Sequence, residues 1–219
     1  MNSFIQFVVN QGVPLETIKL MLMFPLVVTI MAAARQVIGI KAFGIYTPSI
    51  IAIAFLSTGL KYGIFLFLII LIVGTASRLI LKKFRLLYLP RVAIMLSVIS
   101  VTIFLVLAVS GYFQRTGLAA VSIFPLLIMI TIMEKFIVIQ IEKGAKTAVF
   151  LSLETLFLSI IACLVVSIAS FQNLILAYPW LILIVILINI VLGKWTGLRF
   201  SEYYRFKEVI NDAELPEKK

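Results

Sequence analysis

The stretch FGIYTPSIIAIAF, residues 43–55, is apolar enough to enter a bilayer, yet it carries Gly44, Thr47, Pro48 and Ser49 near one end. A second stretch, SIFPLLIMITI at 122–132, also places a serine and a proline near its start. Proline lacks an N–H and frees a backbone carbonyl, which lipid cannot satisfy. The two stretches therefore predict broken or late-starting helices that lie among other helices of a membrane protein.

The composition of the whole chain supports a membrane location. Its 219 residues are 63% hydrophobic, and the mean hydropathy is +1.20, whereas soluble domains are about 45–50% apolar. Because one crossing needs about 20 apolar residues, most of the chain is used in crossing, which excludes a soluble catalytic domain. No basic stretch precedes the first apolar segment, so we expect no cleaved signal peptide.

Seven apolar segments predict an all-α polytopic membrane protein with seven transmembrane helices. We expect a short extracytoplasmic N-terminus (1–16), a seven-helix transmembrane domain (17–193) and a cytoplasmic tail (194–219). The second and fifth segments are the short ones. The segments are 17–34, 42–57, 60–81, 90–111, 117–133, 146–170 and 173–193.

The basic residues predict the orientation of these segments, because Lys and Arg accumulate in cytoplasmic loops. With seven crossings, sixteen basic residues share the side of the C-terminus and only Lys19, Lys61 and Arg115 lie opposite. The N-terminus is then outside. If segments two and five were re-entrant instead, Arg115 would join the basic 78–91 loop and the asymmetry would weaken. The net charge of +10 reflects this bias and affinity for anionic lipid, and we expect no nucleic-acid partner.

The order of segment lengths also predicts a repeat. Segments one to three and four to six each run long, short with proline, long, which would make two halves of inverted topology. Short proline-bearing segments at corresponding places often mark the functional site of such folds. In the alternative interpretation, Pro48 and Pro125 occupy the first turn of a helix, where a missing N–H costs nothing.

Glu154 is the charged residue placed deepest in an apolar segment. A carboxylate at mid-bilayer costs about 2.5–3.5 kcal/mol, so it must face the bundle. It either forms a structural ion pair with Arg35 or Arg78, or serves as a proton- or ion-coupling group. Asn189, in segment seven, predicts a hydrogen bond between helices.

No catalytic or metal-binding pattern is evident in the sequence. The chain has no histidine, and its single cysteine, Cys163, lies in an apolar run typical of a small core residue. We find no nucleophile with a base, no carboxylate pair at enzyme spacing and no phosphate loop. The sequence therefore predicts a protein that is not an enzyme and binds no cofactor.

Several motifs resemble one known family. ARQVIGIKAFG (34–44), PSIIAIAF (48–55), LPR (89–91), FP at 124–125 with Glu134, and GKWTGLRFSEYYRF (193–206) occur in order over about 35–206. They resemble the bacterial seven-transmembrane domain that is usually fused to an inactive transglutaminase-like domain. The Gly/Pro-bearing short helices bear a fainter likeness to CapC or PgsC, the membrane subunit of poly-gamma-glutamate capsule synthesis.

The resemblance implies partners, a location and candidate positions. The family is associated with ATP-grasp ligases of the glutamate-ligase type, so the implied partners are a cytoplasmic ATP-grasp ligase or a separate transglutaminase-like protein, for which this chain has no room. The implied location is the inner membrane of a prokaryote. Glu154 is a candidate functional residue because of its intramembrane charge. The motifs of the family imply further candidate functional positions, which are Arg35, Gln36, Gly39, Gly44, Pro48, Pro90, Arg91, Pro125, Glu134, Gly197, Arg199, Glu202 and Arg205.

The sequence is compatible with three functions. The first is a non-catalytic membrane subunit of a peptide or polyglutamate-type ligase or of a capsule-like polymer export system, with cations at the inner face holding an anionic chain. The second is a small secondary transporter or channel in which Glu154 is the coupling group. The third is a structural or sensory scaffold, and any of them could act as a homo-oligomer.

Overall fold

The computed structural model describes residues 3–84, 86–112 and 123–194, which form nine α-helices and one π-helical turn. These residues fall into two compact units. Unit 1 contains the described residues of 1–41 and 168–194, and unit 2 contains those of 42–167. Each unit has its own packed helices and is described separately.

Unit 1 is built around one long helix, α2. Its elements are α1 (Ser3–Asn10), α2 (Leu15–Ala33) continuing into the π-helical turn (Ala34–Ile38), α8 (Ala169–Ala177) and α9 (Leu181–Gly193). Both α8 and α9 pack against α2. The predicted interhelical hydrogen bond is confirmed, since Asn189 Nδ2 on α9 donates to Thr29 Oγ1 on α2 at 2.6 Å.

The segment predicted over 173–193 is not one continuous helix. The segment starts earlier, at Ala169, and divides into α8 and α9, which meet at an angle of 107°. The break lies at 178–180, around Pro179. Proline has no N–H to continue the helical ladder, and it moves the preceding residue out of the α region. Tyr178 accordingly has φ −128° and ψ 75°.

Unit 2 contains five helices among its described residues. They are α3 (Tyr46–Thr58), α4 (Leu60–Leu81), α5 (Tyr88–Tyr112), α6 (Ile123–Glu142) and α7 (Ala145–Ser167). Gly59 alone separates α3 from α4, and Lys143 and Gly144 join α6 to α7. These connections make α3 and α4 antiparallel, and likewise α6 and α7.

Hydrogen bonds then fix which helix ends lie together in unit 2. Ala42 and Phe43 contact Glu154 and Thr155, while Pro48 contacts Ser159, so α3 runs parallel to α7. Because α6 is antiparallel to α7, it is antiparallel to α3 and parallel to α4. The C-terminal ends of α4 and α6 and the N-terminal ends of α5 and α7 therefore lie at one end of the unit.

The interior of unit 2 is apolar and closely packed. Phe55, Ile99, Phe136 and Ile137 are fully buried, and the Phe43 and Phe136 rings meet edge to face with centroids 6.5 Å apart. Cys163 is buried in the same cluster, as its apolar surroundings predicted. Many large apolar side chains face outward instead, which is the expected surface of a protein solvated by lipid tails.

Within the described residues, four helices are long and apolar enough to cross a membrane. They are Leu15–Ile38, Leu60–Leu81, Tyr88–Tyr112 and Ala145–Ser167, and the bent pair of α8 and α9 makes five if it is one span. The predicted shortness of the second segment is confirmed, because α3 has 13 residues and is only about 20 Å long.

The prediction of a short fifth segment ending near Glu134 is wrong. Helix α6 has 20 residues and runs on to Glu142. Glu134 and Lys135 are exposed on its surface, whereas Phe136 and Ile137 continue its buried face. The apolar face, rather than the first charged pair, therefore decides where this helix ends.

Candidate functional site

The backbone leading into α3 is not helical, although it is buried. Residues 42–45 form turns, and helix α3 begins only at Tyr46. Ala42 has φ 35° and Gly44 has φ 81°, both in the left-handed region that interrupts a helix. The stretch at 43–55 is thus a late-starting helix, and the N–H groups before it need partners outside their own segment.

Helix α7 supplies these partners through two adjacent side chains. The Ala42 N–H donates to Glu154 Oε2 at 3.0 Å, and the Phe43 N–H donates to Thr155 Oγ1 at 3.0 Å. The Thr155 hydroxyl in turn donates to the Leu151 carbonyl at 2.6 Å. In a lipid-solvated protein these bonds replace the helical ladder that the turn lacks.

Two further contacts fasten the first turn of α3. Ser159 Oγ lies 2.9 Å from the Pro48 carbonyl and 2.7 Å from the Thr155 carbonyl. Lys135 Nζ on α6 lies 3.4 Å from Thr47 Oγ1. We call residues 42–48 together with Lys135, Glu154, Thr155 and Ser159 the α3 junction.

Proline at position 48 fits the first-turn interpretation. Pro48 is the third residue of α3, where its missing N–H breaks no helical hydrogen bond. Pro90 is likewise the third residue of α5, and Pro125 is the third residue of α6 as described. These three prolines therefore lie in the first turns of helices rather than breaking them, and the interruption before α3 comes from residues 42–45.

The predicted pairing of Glu154 with Arg78 is wrong. The Glu154 carboxylate accepts from a backbone N–H instead, and among residues 42–84, 86–112 and 123–167 it forms no ion pair with Arg78. The register explains the difference, because Arg78 lies in the last turn of α4, whereas Glu154 lies ten residues into α7. The half-buried carboxylate therefore places a negative charge beside non-helical backbone.

Three of the predicted positions lie in unit 1. Arg35 is exposed and Gln36 half-buried, both in the π-helical turn. Gly39 ends that turn with φ 90°, and its N–H donates to the Ala34 carbonyl at 3.1 Å. Single π-turns inside α-helices are frequent at functional sites. This turn, which is part of the motif at 34–44, is therefore a second interruption of regular α-helix in the chain.

The remaining described positions lie in unit 2, and only some belong to the α3 junction. Gly44, Pro48 and Glu154 are part of it. Arg91 is half-buried at the start of α5, where its Nη2 donates to the Leu86 carbonyl at 2.9 Å. Pro90 and Glu134 are exposed, and Pro125 is buried in the first turn of α6.

Four predicted positions of the tail motif lie outside the described residues. They are Gly197, Arg199, Glu202 and Arg205.

The contacts of Thr155 and Ser159 with the segment at 43–48 were missed from the sequence. Ser152, Thr155 and Ser159 are spaced three and four residues apart, so they form one hydroxyl-bearing stripe on an otherwise apolar helix. All three are buried. That spacing was the available signal, and it would have placed the stripe beside the non-helical segment before α3.

The α3 junction brings together groups of several chemical types. It offers a carboxylate, hydroxyl groups and a lysine ammonium near backbone groups that are free of a helical ladder. Such an arrangement can hold a proton, a cation or a polar group of a ligand. It places no activated nucleophile beside a base among the described residues.

Comparison with known proteins gives the family. Over residues 2–210, the chain matches the family of seven transmembrane helices usually fused to an inactive transglutaminase. The chain belongs to this family. Searches of curated proteins and of solved structures found no match. The resemblance seen in the sequence is thus confirmed, and this member of the seven-transmembrane family is a multi-pass membrane protein.

Proposed function

We propose that this chain is a non-catalytic membrane subunit that docks a cytoplasmic ATP-grasp ligase of the peptide or polyglutamate type. The observation that carries the proposal is the uneven charge of unit 2. Six cations gather where α4 and α6 end and α5 and α7 begin, and we call this set the basic end. It comprises Arg78, Lys82, Lys83, Arg91, Lys143 and Lys146.

The opposite end of unit 2 carries Lys61 as its cation in the described part of the chain. The positive-inside rule places the basic end in the cytoplasm, with all seven segments crossing and the N-terminus outside. Cationic groups there attract an anionic partner or an anionic polymer. The family's usual fusion to an inactive transglutaminase supports a role in holding rather than cleaving a peptide-like chain.

The same proposal includes handling of the product. A polyglutamate chain is polyanionic, so the basic end would hold it electrostatically, as CapC- or PgsC-like subunits of polymer synthesis would require. A separate transglutaminase-like protein is the second partner that this proposal expects.

Affinity purification in mild detergent, followed by mass spectrometry, tests the docking role. We expect the tagged protein to recover an ATP-grasp ligase from its own membranes. Changing Lys82, Lys83, Lys143 and Lys146 to Gln should reduce that recovery at least several-fold, whereas the matched control Lys61→Gln should not. Recovery of the protein without such a ligase, repeated after cross-linking, would contradict the proposal.

The α3 junction favours a second candidate, a small secondary transporter. Its specific support is Glu154, whose half-buried carboxylate lies beside non-helical backbone. In proteoliposomes with an imposed proton or sodium gradient, Glu154→Gln should abolish solute flux if the carboxylate is the coupling group. Unchanged flux in a folded variant would reject this candidate and leave Glu154 a structural role.

A further inference from the structure

Gln140 is the one side chain in the described residues that is wholly buried with both its polar atoms unpartnered. Its exposed fraction is 0%, and neither Oε1 nor Nε2 has a hydrogen-bond partner. A buried amide left without partners destabilises the folded state. In native proteins such groups are usually met by an ordered water, an ion or a ligand.

The position of Gln140 follows from the packing of Met133. A Cβ placed on Gly74 would lie 2.7 Å from Met133 Cε and 3.6 Å from Ile99 Cδ1, so α4, α5 and α6 meet here. Gln140 is two turns further along the same face of α6, about 10 Å nearer the basic end. Since α6 is parallel to α4 and antiparallel to α5, this is the level of residues 81 and 92.

Two half-buried guanidinium groups lie within about one helical turn of this level. For Arg78, burial removes part of its hydration, and Arg91 is close enough for the two charges to repel. Arg91 Nη2 donates to the Leu86 carbonyl, but its buried Nε has no acceptor. The Arg78 guanidinium has no hydrogen-bond or carboxylate partner among the described residues. Two neighbouring cations without a carboxylate partner attract an anion.

The outer surface beside these arginines is apolar. Leu79, Ile80, Phe84, Leu87 and Leu89 are each more than half exposed, and the exposed Lys82 and Lys83 follow directly after α4. Lipid acyl chains would cover these apolar side chains, and Lys82 and Lys83 would attract anionic headgroups.

The geometry points to a binding site for the phosphate group of an anionic phospholipid, formed by Arg78, Arg91 and Gln140. The two guanidinium groups and Gln140 Nε2 supply donors to the phosphate oxygens, and Gln140 Oε1 accepts from a headgroup hydroxyl such as that of phosphatidylglycerol. The lipid would bind at the basic end whether or not the proposed ligase partner is present.

Thermal unfolding of the purified protein in neutral detergent tests the site. Phosphatidylglycerol should raise the melting temperature of the wild type, because a ligand that binds only the folded state stabilises it, whereas phosphatidylcholine should not. Inorganic phosphate should give a much smaller shift. An equal shift with inorganic phosphate would overturn the lipid assignment and identify a free-phosphate site.

The variants test whether these residues form the site. Gln140→Leu should keep or raise the melting temperature without lipid, since it removes two unpaired polar atoms, yet it should lose at least about half of the phosphatidylglycerol increment. Arg91→Gln should lose it too, and the control Lys61→Gln should retain it. Arg91→Lys, which keeps the charge, covers the case in which Arg91→Gln fails to fold.

Native mass spectrometry supplies a second readout for the same proteins. The wild type should retain phosphatidylglycerol that the Gln140→Leu protein releases. Full lipid retention and a full melting increment in Gln140→Leu and in either folded Arg91 variant would overturn the proposal.

Discussion

At the scale of single residues, the backbone N–H groups before α3 decide what Glu154 does. The sequence left a structural ion pair or a coupling role open for this mid-bilayer carboxylate, and in the structure the Ala42 N–H donates to it. The non-helical turn and the carboxylate satisfy each other, because each would be costly alone in a lipid-solvated bundle. In the same way, the Phe43 N–H donates a hydrogen bond to the Thr155 hydroxyl oxygen.

The first prediction concerns the acceptor at position 154. Glu154→Gln keeps a side-chain oxygen for the Ala42 N–H, so the free energy of unfolding should change little. Glu154→Leu removes that acceptor and should cost about 1–3 kcal/mol. Thermal unfolding in detergent measures both, with Leu153→Ala on the exposed neighbouring position as control. Equal losses in the Gln and Leu variants would show that the charge, rather than the acceptor, matters.

At the scale of elements, helix α3 is short and is stabilised by close packing against its neighbouring helices. Helix α3 is too short to cross about 30 Å of hydrocarbon alone, and it lies against α4, α6 and α7. A Cβ on Gly63 would overlap with Phe55 Cδ1 and would lie 3.0 Å from Thr58 Oγ1. The α3–α4 hairpin therefore depends on glycine at this position.

The second prediction follows from that contact. Gly63→Ala should destabilise the protein by about 1–3 kcal/mol, because the fully buried Phe55 ring cannot move aside without disturbing the core. Gly111→Ala is the matched control, since its Cβ would meet no described atom within 4 Å. It should be neutral or stabilise by up to about 1 kcal/mol. Unfolding curves of the two variants that coincide would contradict the packing argument.

At the scale of the whole molecule, the orientation of unit 2 in the membrane follows from where its charges lie. The alternating directions of α3, α4, α6 and α7 bring the loops after α4 and α6 to the same end. The sequence count of basic residues predicts that this end faces the cytoplasm. Family membership supports a multi-pass protein, and the seven crossings and the inverted repeat remain predictions.

The third prediction tests that orientation. In a Cys163→Ala background, which removes the single native cysteine, Lys82→Cys and Lys143→Cys should be labelled from the cytoplasmic side. Lys61→Cys should be labelled from outside. Impermeant maleimide applied to intact cells and to inverted vesicles distinguishes the two sides. Labelling of Lys61→Cys and Lys82→Cys from the same side would contradict the alternating crossings.

The sequence by itself determined the class of protein, the late start of α3, the family and the interhelical role of Asn189. These follow from composition, proline chemistry and motifs, which are local properties. Tertiary structure alone decided the partner of Glu154, the extent of α6 and the neighbourhood of Gln140. Those depend on which helix faces meet and at what register, and an almost uniformly apolar sequence carries little information about facing. Hydrophobic periodicity, the usual guide to buried faces, is weak when lipid solvates the outer surface as well.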